Sequence, residues 1–92
     1  MAQIIIPTPL RKFTNNESTF ETNETTVLAG IRELSQRYPA LEQHLFDEGG
    51  KFRTFINIFV EEDDIRGLER ENTAIESNTT VSIIPAIAGG SY

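Results

Sequence analysis

Only one stretch of this chain sustains a long helical period, and the segments on either side of it read as strand. Val27, Ile31, Leu34 and Tyr38 recur on one face, while Arg32, Glu33 and Arg37 fall elsewhere. Thr25 or Thr26 supplies a cap, the helix runs to about Arg37, and Pro39 stops it. A lone helix with one apolar stripe must bury that stripe against another layer, and here the layer can only be a sheet.

The strand signals are clear. Residues 3–8 hold three consecutive isoleucines, and Pro7 suits a strand end. Asn15-Asn16 is a turn signal, and residues 18–22, with Phe20 as anchor, complete an opening hairpin. After the helix, residues 39–46 suggest a short helical turn with Leu41 and Leu45 four apart. Asp47-Glu48-Gly49-Gly50 is a loop.

Residues 53–60 form the strongest strand pattern. Ile56, Ile58 and Val60 lie on one face, with Phe55, Asn57 and Phe59 on the other. An acidic turn follows at residues 61–64, then a brief edge strand at 65–68, a turn at Ser77-Asn78 and a last strand over 81–86. The class is α+β: one main helix across a mixed sheet of four to five strands, with the first and last strands side by side in its middle. Ninety-two residues make a single domain. Residues 1–86 are expected to form it, and 87–92 a flexible tail.

Several functions are excluded by what the chain lacks. It has no cysteine, so disulfides, thiolate metal sites and thiol nucleophiles are ruled out; this suits a reducing cytoplasm, the expected location. A net charge of −6 argues against nucleic acid, whose binding begins with a basic patch, and favours steering toward a basic surface on a protein partner. No apolar run nears the roughly 18 residues of a membrane span. The sequons at Asn16, Asn23 and Asn78 read as chance matches without a signal peptide.

Conventional catalysis also finds little support. His44 has no matched nucleophile and reads as a packing or surface residue. Glu61-Glu62-Asp63-Asp64 lacks the alternation and central glycine of a calcium loop, so it reads as a solvated turn. The chain is expected to bind no metal or cofactor and to lack catalytic residues of its own.

The end of the chain is the unusual part. Residues 77–92 carry no charged side chain and pass from a β-branched strand to paired glycines, Gly89-Gly90, and then Ser91-Tyr92. A thin apolar end suits insertion into another enzyme's channel. Glycine leaves its carbonyl open to attack, and Ala86 and Ala88 add no charge to be desolvated.

Two stretches carry a resemblance. Phe55-Ile56-Asn57-Ile58-Phe59-Val60-Glu61-Glu62-Asp63-Asp64-Ile65-Arg66 is similar to the central strand and turn of the MoaD/ThiS family of ubiquitin-like sulfur carriers. Val81-Ser82-Ile83-Ile84-Pro85-Ala86-Ile87-Ala88-Gly89-Gly90 resembles that family's C-terminal signature. Residues 3–90 can be laid onto the pattern, and the members most like this chain serve cysteine synthesis.

The resemblance implies a β-grasp fold and a cycle centred on Gly90. An E1-like activating enzyme uses ATP to adenylate that glycine. A sulfur donor converts it to a thiocarboxylate, which delivers sulfide to a sulfur-accepting synthase for an amino acid or a cofactor. It also implies that the sheet face away from the helix meets the activating enzyme, here through Phe55, Phe59 and Ile84, with Arg66 after the acidic turn and Ala88 in the tail.

Two departures stand out. The family's Gly-Asp turn before the last strand is Asn78-Thr79 here, and Asn tolerates the left-handed conformation. Members usually stop at the second glycine, whereas Ser91-Tyr92 follow in this chain, so a JAMM-type zinc protease is expected to cut between Gly90 and Ser91. Two further outcomes share the fold and tail: a ubiquitin-like modifier conjugated through Gly90, and a small subunit of a molybdopterin synthase.

Overall fold

The chain folds as a five-stranded mixed sheet with one long helix across a single face, in the computed structural model, which describes residues 1–85. Strand β1 (Ala2–Ile5) pairs antiparallel with β2 (Thr19–Thr22), placing Ile4 opposite Phe20. Helix α1 (Val27–Arg37) follows, then the single turn α2 (Glu42–Leu45), then β3 (Ile56–Val60), β4 (Asp63–Asp64) and β5 (Thr80–Pro85). The spatial order is β2-β1-β5-β3-β4. The last strand is therefore central, parallel to β1 and antiparallel to β3. A parallel pair needs a long crossover, and α1 lies within it.

Helix α1 begins where the sequence places it. The Thr26 side chain accepts a hydrogen bond from the Ala29 N–H at 3.2 Å, satisfying one donor of the first turn. Its stripe of Val27, Ile31 and Leu34 is fully buried and meets Ile4, Ile58, Val81 and Ile83 in one core. Burying each such side chain contributes about 1.5–3 kcal/mol. Gly30 sets how closely the helix approaches the sheet. A Cβ there would lie 3.3 Å from Thr22 Cγ2 and 3.6 Å from Ile4 Cδ1. Leu41 and Leu45 are completely buried, as their spacing suggested.

Four local features differ from the sequence reading. Strand β1 ends at Ile5, and Thr8–Phe13 coil into 3₁₀ turns that bury Leu10. Pro7 and Pro9 each remove an N–H donor, which favours a turn over a longer ladder. Strand β3 starts at Ile56 rather than at residue 53, because the Ile56 N–H turns back to the Arg53 carbonyl at 3.0 Å.

The edge strand is Asp63–Asp64, not 65–68. Ile65–Gly67 form a 3₁₀ turn instead, capped by Asp64, whose Oδ1 accepts from the Arg66 N–H at 2.8 Å. Burial of Ile65 in the core pulls this stretch out of the ladder. Strand β5 begins one residue early, at Thr80, after a turn in which Asn78 has φ 72°. Asparagine here does what the expected glycine would have done.

Candidate functional site

The alternation of the strands produces two chemically different faces. On β5, Val81 and Ile83 point into the core, while Ser82 and Ile84 point to the side without the helix. The register sets Asn57 opposite Ile84 and Phe59 opposite Ser82, so all four share this open face. Ile84 is 48% exposed and Phe55, in the turn just before β3, is 43% exposed. Few large apolar side chains lie so open among the described residues. Phe59 is half-buried and lies outside the group of side chains packed on the core.

Arg66 reaches this face from the 3₁₀ turn. Its Nη2 donates to Asn57 Oδ1 and, at 2.8 Å, to Asp64 Oδ2, while Nε donates to Asp64 Oδ1 at 3.2 Å. The hydrogen bond from the Arg66 side chain is the main reason that the Asp64 carboxyl lies below its ordinary value of 3.8; the Arg66 guanidinium is raised in turn. Arg66 thus has a structural partner as well as an exposed surface. Asn57 ties Arg66 to the sheet, a role that sequence reasoning missed. The 55-57-59 alternation was the available signal, since it placed Asn57 between the two phenylalanines.

The acidic run is a hairpin with fixed duties. Glu61, at φ 57°, turns the chain; its N–H donates to the Thr80 carbonyl at 2.8 Å, and its Oε2 accepts from the Thr80 N–H at 3.0 Å. Glu61 thereby ties the β3 end to the start of β5. Among the described residues no group of His, Cys, Asp or Glu is placed to hold a metal ion. His44 stacks on Phe13 with ring centroids 4.4 Å apart, in keeping with a packing role. Within the same residues no helix is long and apolar enough to cross a membrane.

The central strand carries the chain to the site. Pro85, opposite Ile56, is the last described residue, so β5 leaves the sheet beside Phe55 and Ile84. Gly90 is five residues further, which covalent geometry limits to about 18 Å from Pro85. Ala86, Ala88, Gly89, Gly90 and Ser91 lie outside the described residues, and with them the cleavage and adenylation positions.

Comparisons with known proteins agree with this layout. The model of the ThiS family matches residues 4–90. The sulfur carrier protein CysO of Mycobacterium tuberculosis is 35% identical over 89 residues, covering 95% of this chain and 96% of the relative. A chain in the crystal structure of the Amycolatopsis orientalis BexX/CysO complex superposes with a TM-score of 0.88 at 32% identity, covering 98% of this chain and all of that one. The small archaeal modifier protein 1 of Methanosarcina acetivorans shares the fold, with a TM-score of 0.87, at 23% identity over 97% of this chain and 95% of its own.

Proposed function

This chain belongs to the ThiS family, and we propose that it is a sulfur carrier whose working atom is the carboxyl carbon of Gly90. One observation carries the proposal. The family match runs to residue 90, the second of the paired glycines, and these lie four and five residues past the end of the central strand of the fold. The carrier supplies the carbonyl and a folded handle, and partner enzymes supply the catalytic groups.

The chemistry follows from the weakness of a carboxylate as an electrophile. The Gly90 carboxylate attacks the α-phosphorus of ATP on an E1-like activating enzyme, giving an acyl-adenylate and releasing pyrophosphate. A donor at the sulfide level then attacks the acyl carbon through its sulfur, and AMP leaves. The resulting thiocarboxylate passes its sulfur to an acceptor on a synthase, for an amino acid such as cysteine or for a cofactor. Glycine suits this position because no side chain shields its carbonyl.

While Ser91-Tyr92 are attached, Gly90 is an amide and cannot be adenylated. Cleavage between Gly90 and Ser91, by a zinc protease of the JAMM type, therefore comes first. The activating enzyme docks on the open face through Phe55, Phe59 and Ile84. Arg66 stands at the edge of that surface, and Ala88 lines the channel that admits the end of the chain.

Intact-mass measurement of the protein from its native cells tests this directly. The expected result is loss of Ser91 and Tyr92, with a fraction of molecules carrying sulfur in place of one terminal oxygen. Heavier adducts on other proteins' lysines, without a sulfur-bearing form, would indicate a protein modifier instead. Undiminished sulfur transfer by a Gly90→Ala variant would refute the assignment.

A further inference from the structure

The β3 edge of the sheet is only partly covered. Strand β4 pairs with β3 at Phe59 and Val60 alone, and β4 is the last strand on that side. Among the described residues, Ile56, Asn57 and Ile58 therefore have a strand neighbour on one side only, an open edge of about 10 Å. Beside it runs a groove of about 400 Å³, floored by Ile56, Ile58 and Ile65. Lys51, Arg53, Arg66 and Arg70 line it together with Asp64 and Glu71, and the Arg53 Nε donates to the Gln43 carbonyl at 2.6 Å.

The charge of this groove opposes that of the molecule. Four of the chain's eight bases line it against two of its fourteen acids, so the groove is net positive on a protein of net charge −6. Asp64 is already paired with Arg66. The Ile56 N–H is already given to the Arg53 carbonyl, so an added strand uses the remaining outward backbone groups of this edge, beside its apolar side chains, and the flanking cations select its charge. A small anion would use the cations but neither the strand edge nor the apolar floor.

We propose that this groove is a docking site for an extended acidic segment of a partner protein, added as a sixth strand along Ile56–Ile58. Its glutamates or aspartates meet Lys51, Arg53 and Arg70, and its alternate apolar side chains rest over Ile56, Ile58 and Ile65. The groove lies along the sheet edge rather than on the open face that holds Ile84, meeting that face at Asn57 and Arg66, and does not depend on sulfur chemistry at Gly90. A carrier handed between enzymes could thus be held at its edge while its end is worked on.

The test uses the full chain and three end-capped hexapeptides, of alternating Glu and Val, Lys and Val, or Glu and Pro. Titration is followed by backbone amide shifts. The Glu-Val peptide is expected to move amides in 51–58 and 65–71 and to bind at least tenfold more tightly than either control. Lys51→Glu with Arg70→Glu, both exposed positions, should weaken it at least tenfold while leaving the remaining spectrum in place.

Equal binding of the Glu-Pro peptide, or full displacement by inorganic phosphate, would reduce the site to an anion site and overturn the proposal. Shifts centred on Ser82 and Ile84 would overturn it too, as would self-association of the chain through 51–58 in the absence of peptide. If the double variant fails to fold, the three-peptide comparison on the unaltered chain decides.

Discussion

The two faces of the sheet are built from the same strands and do opposite work. Residues 81 and 83 of β5 disappear into the core, while 82 and 84 stay at the surface. On β3, Ile56 and Ile58 are buried while Asn57 and Phe59 are half-exposed. The covered face is held by apolar contact with α1 and with Leu10, Leu41, Leu45, Ile65 and Ile75 around it. The open face leaves Ile84 and the neighbouring Phe55 about half exposed among the described residues. Burial and exposure are thus divided between alternate positions of each strand, and the proposed docking role falls on the exposed set.

Substitutions on the covered face should give the largest effects. Ile58→Ala, at a position 2% exposed, is expected to cost about 2–5 kcal/mol through lost contacts and the cavity left behind. Urea unfolding measures this, and a loss as small as at a surface site would mean that the face is not packed as described. Next comes Gly30→Val. The added bulk would meet Thr22 and Ile4, and overpacking of this kind costs about 1–3 kcal/mol. An unchanged Tm would show that α1 can move off the sheet freely.

The open face should respond the other way. Phe55→Ser with Ile84→Ser is expected to leave stability within about 0.5 kcal/mol per site, as for surface changes generally. Binding to the activating enzyme should fall about tenfold or more, since exposed aromatic and aliphatic anchors dominate such contacts. Calorimetric unfolding and a pull-down titration read the two quantities separately. A large drop in Tm with binding intact would reverse the division of labour.

The smallest effect concerns acid. Asp64 is held below 3.8 chiefly by the side-chain hydrogen bond from Arg66, and Asp47 chiefly by the Lys51 N–H. With the folded value below the unfolded one, the stabilisation is complete above that unfolded value. It is lost as pH falls through the folded value. Asp64→Asn should flatten the acid limb of the stability curve as pH falls past the ordinary value of 3.8 and through the lower folded one. An unaltered limb would mean that the pair contributes nothing in solution.

Much of this was legible in the residues. The helix, its cap at Thr25 or Thr26, the Leu41/Leu45 spacing and the Asn78 turn follow from periodicity and turn chemistry. Those signals are local, so they survive without knowledge of the neighbours. The edge strand was misplaced because Ile65 looks like a strand residue until the core claims it. Asn57 was overlooked as part of the site because its importance lies in a bond to Arg66, nine residues away.

The sequence by itself determined the alternation on β3 and β5, the paired glycines at 89 and 90 and the absence of cysteine, because each is a property of neighbouring residues or of composition. Only the tertiary structure decided that β5 runs parallel to β1 and that Arg66 reaches Asn57. It alone also decided that half of the bases gather along an uncovered strand edge on an acidic protein. Those facts depend on which distant segments the core brings together, and burial of the apolar face, not local preference, selects that arrangement.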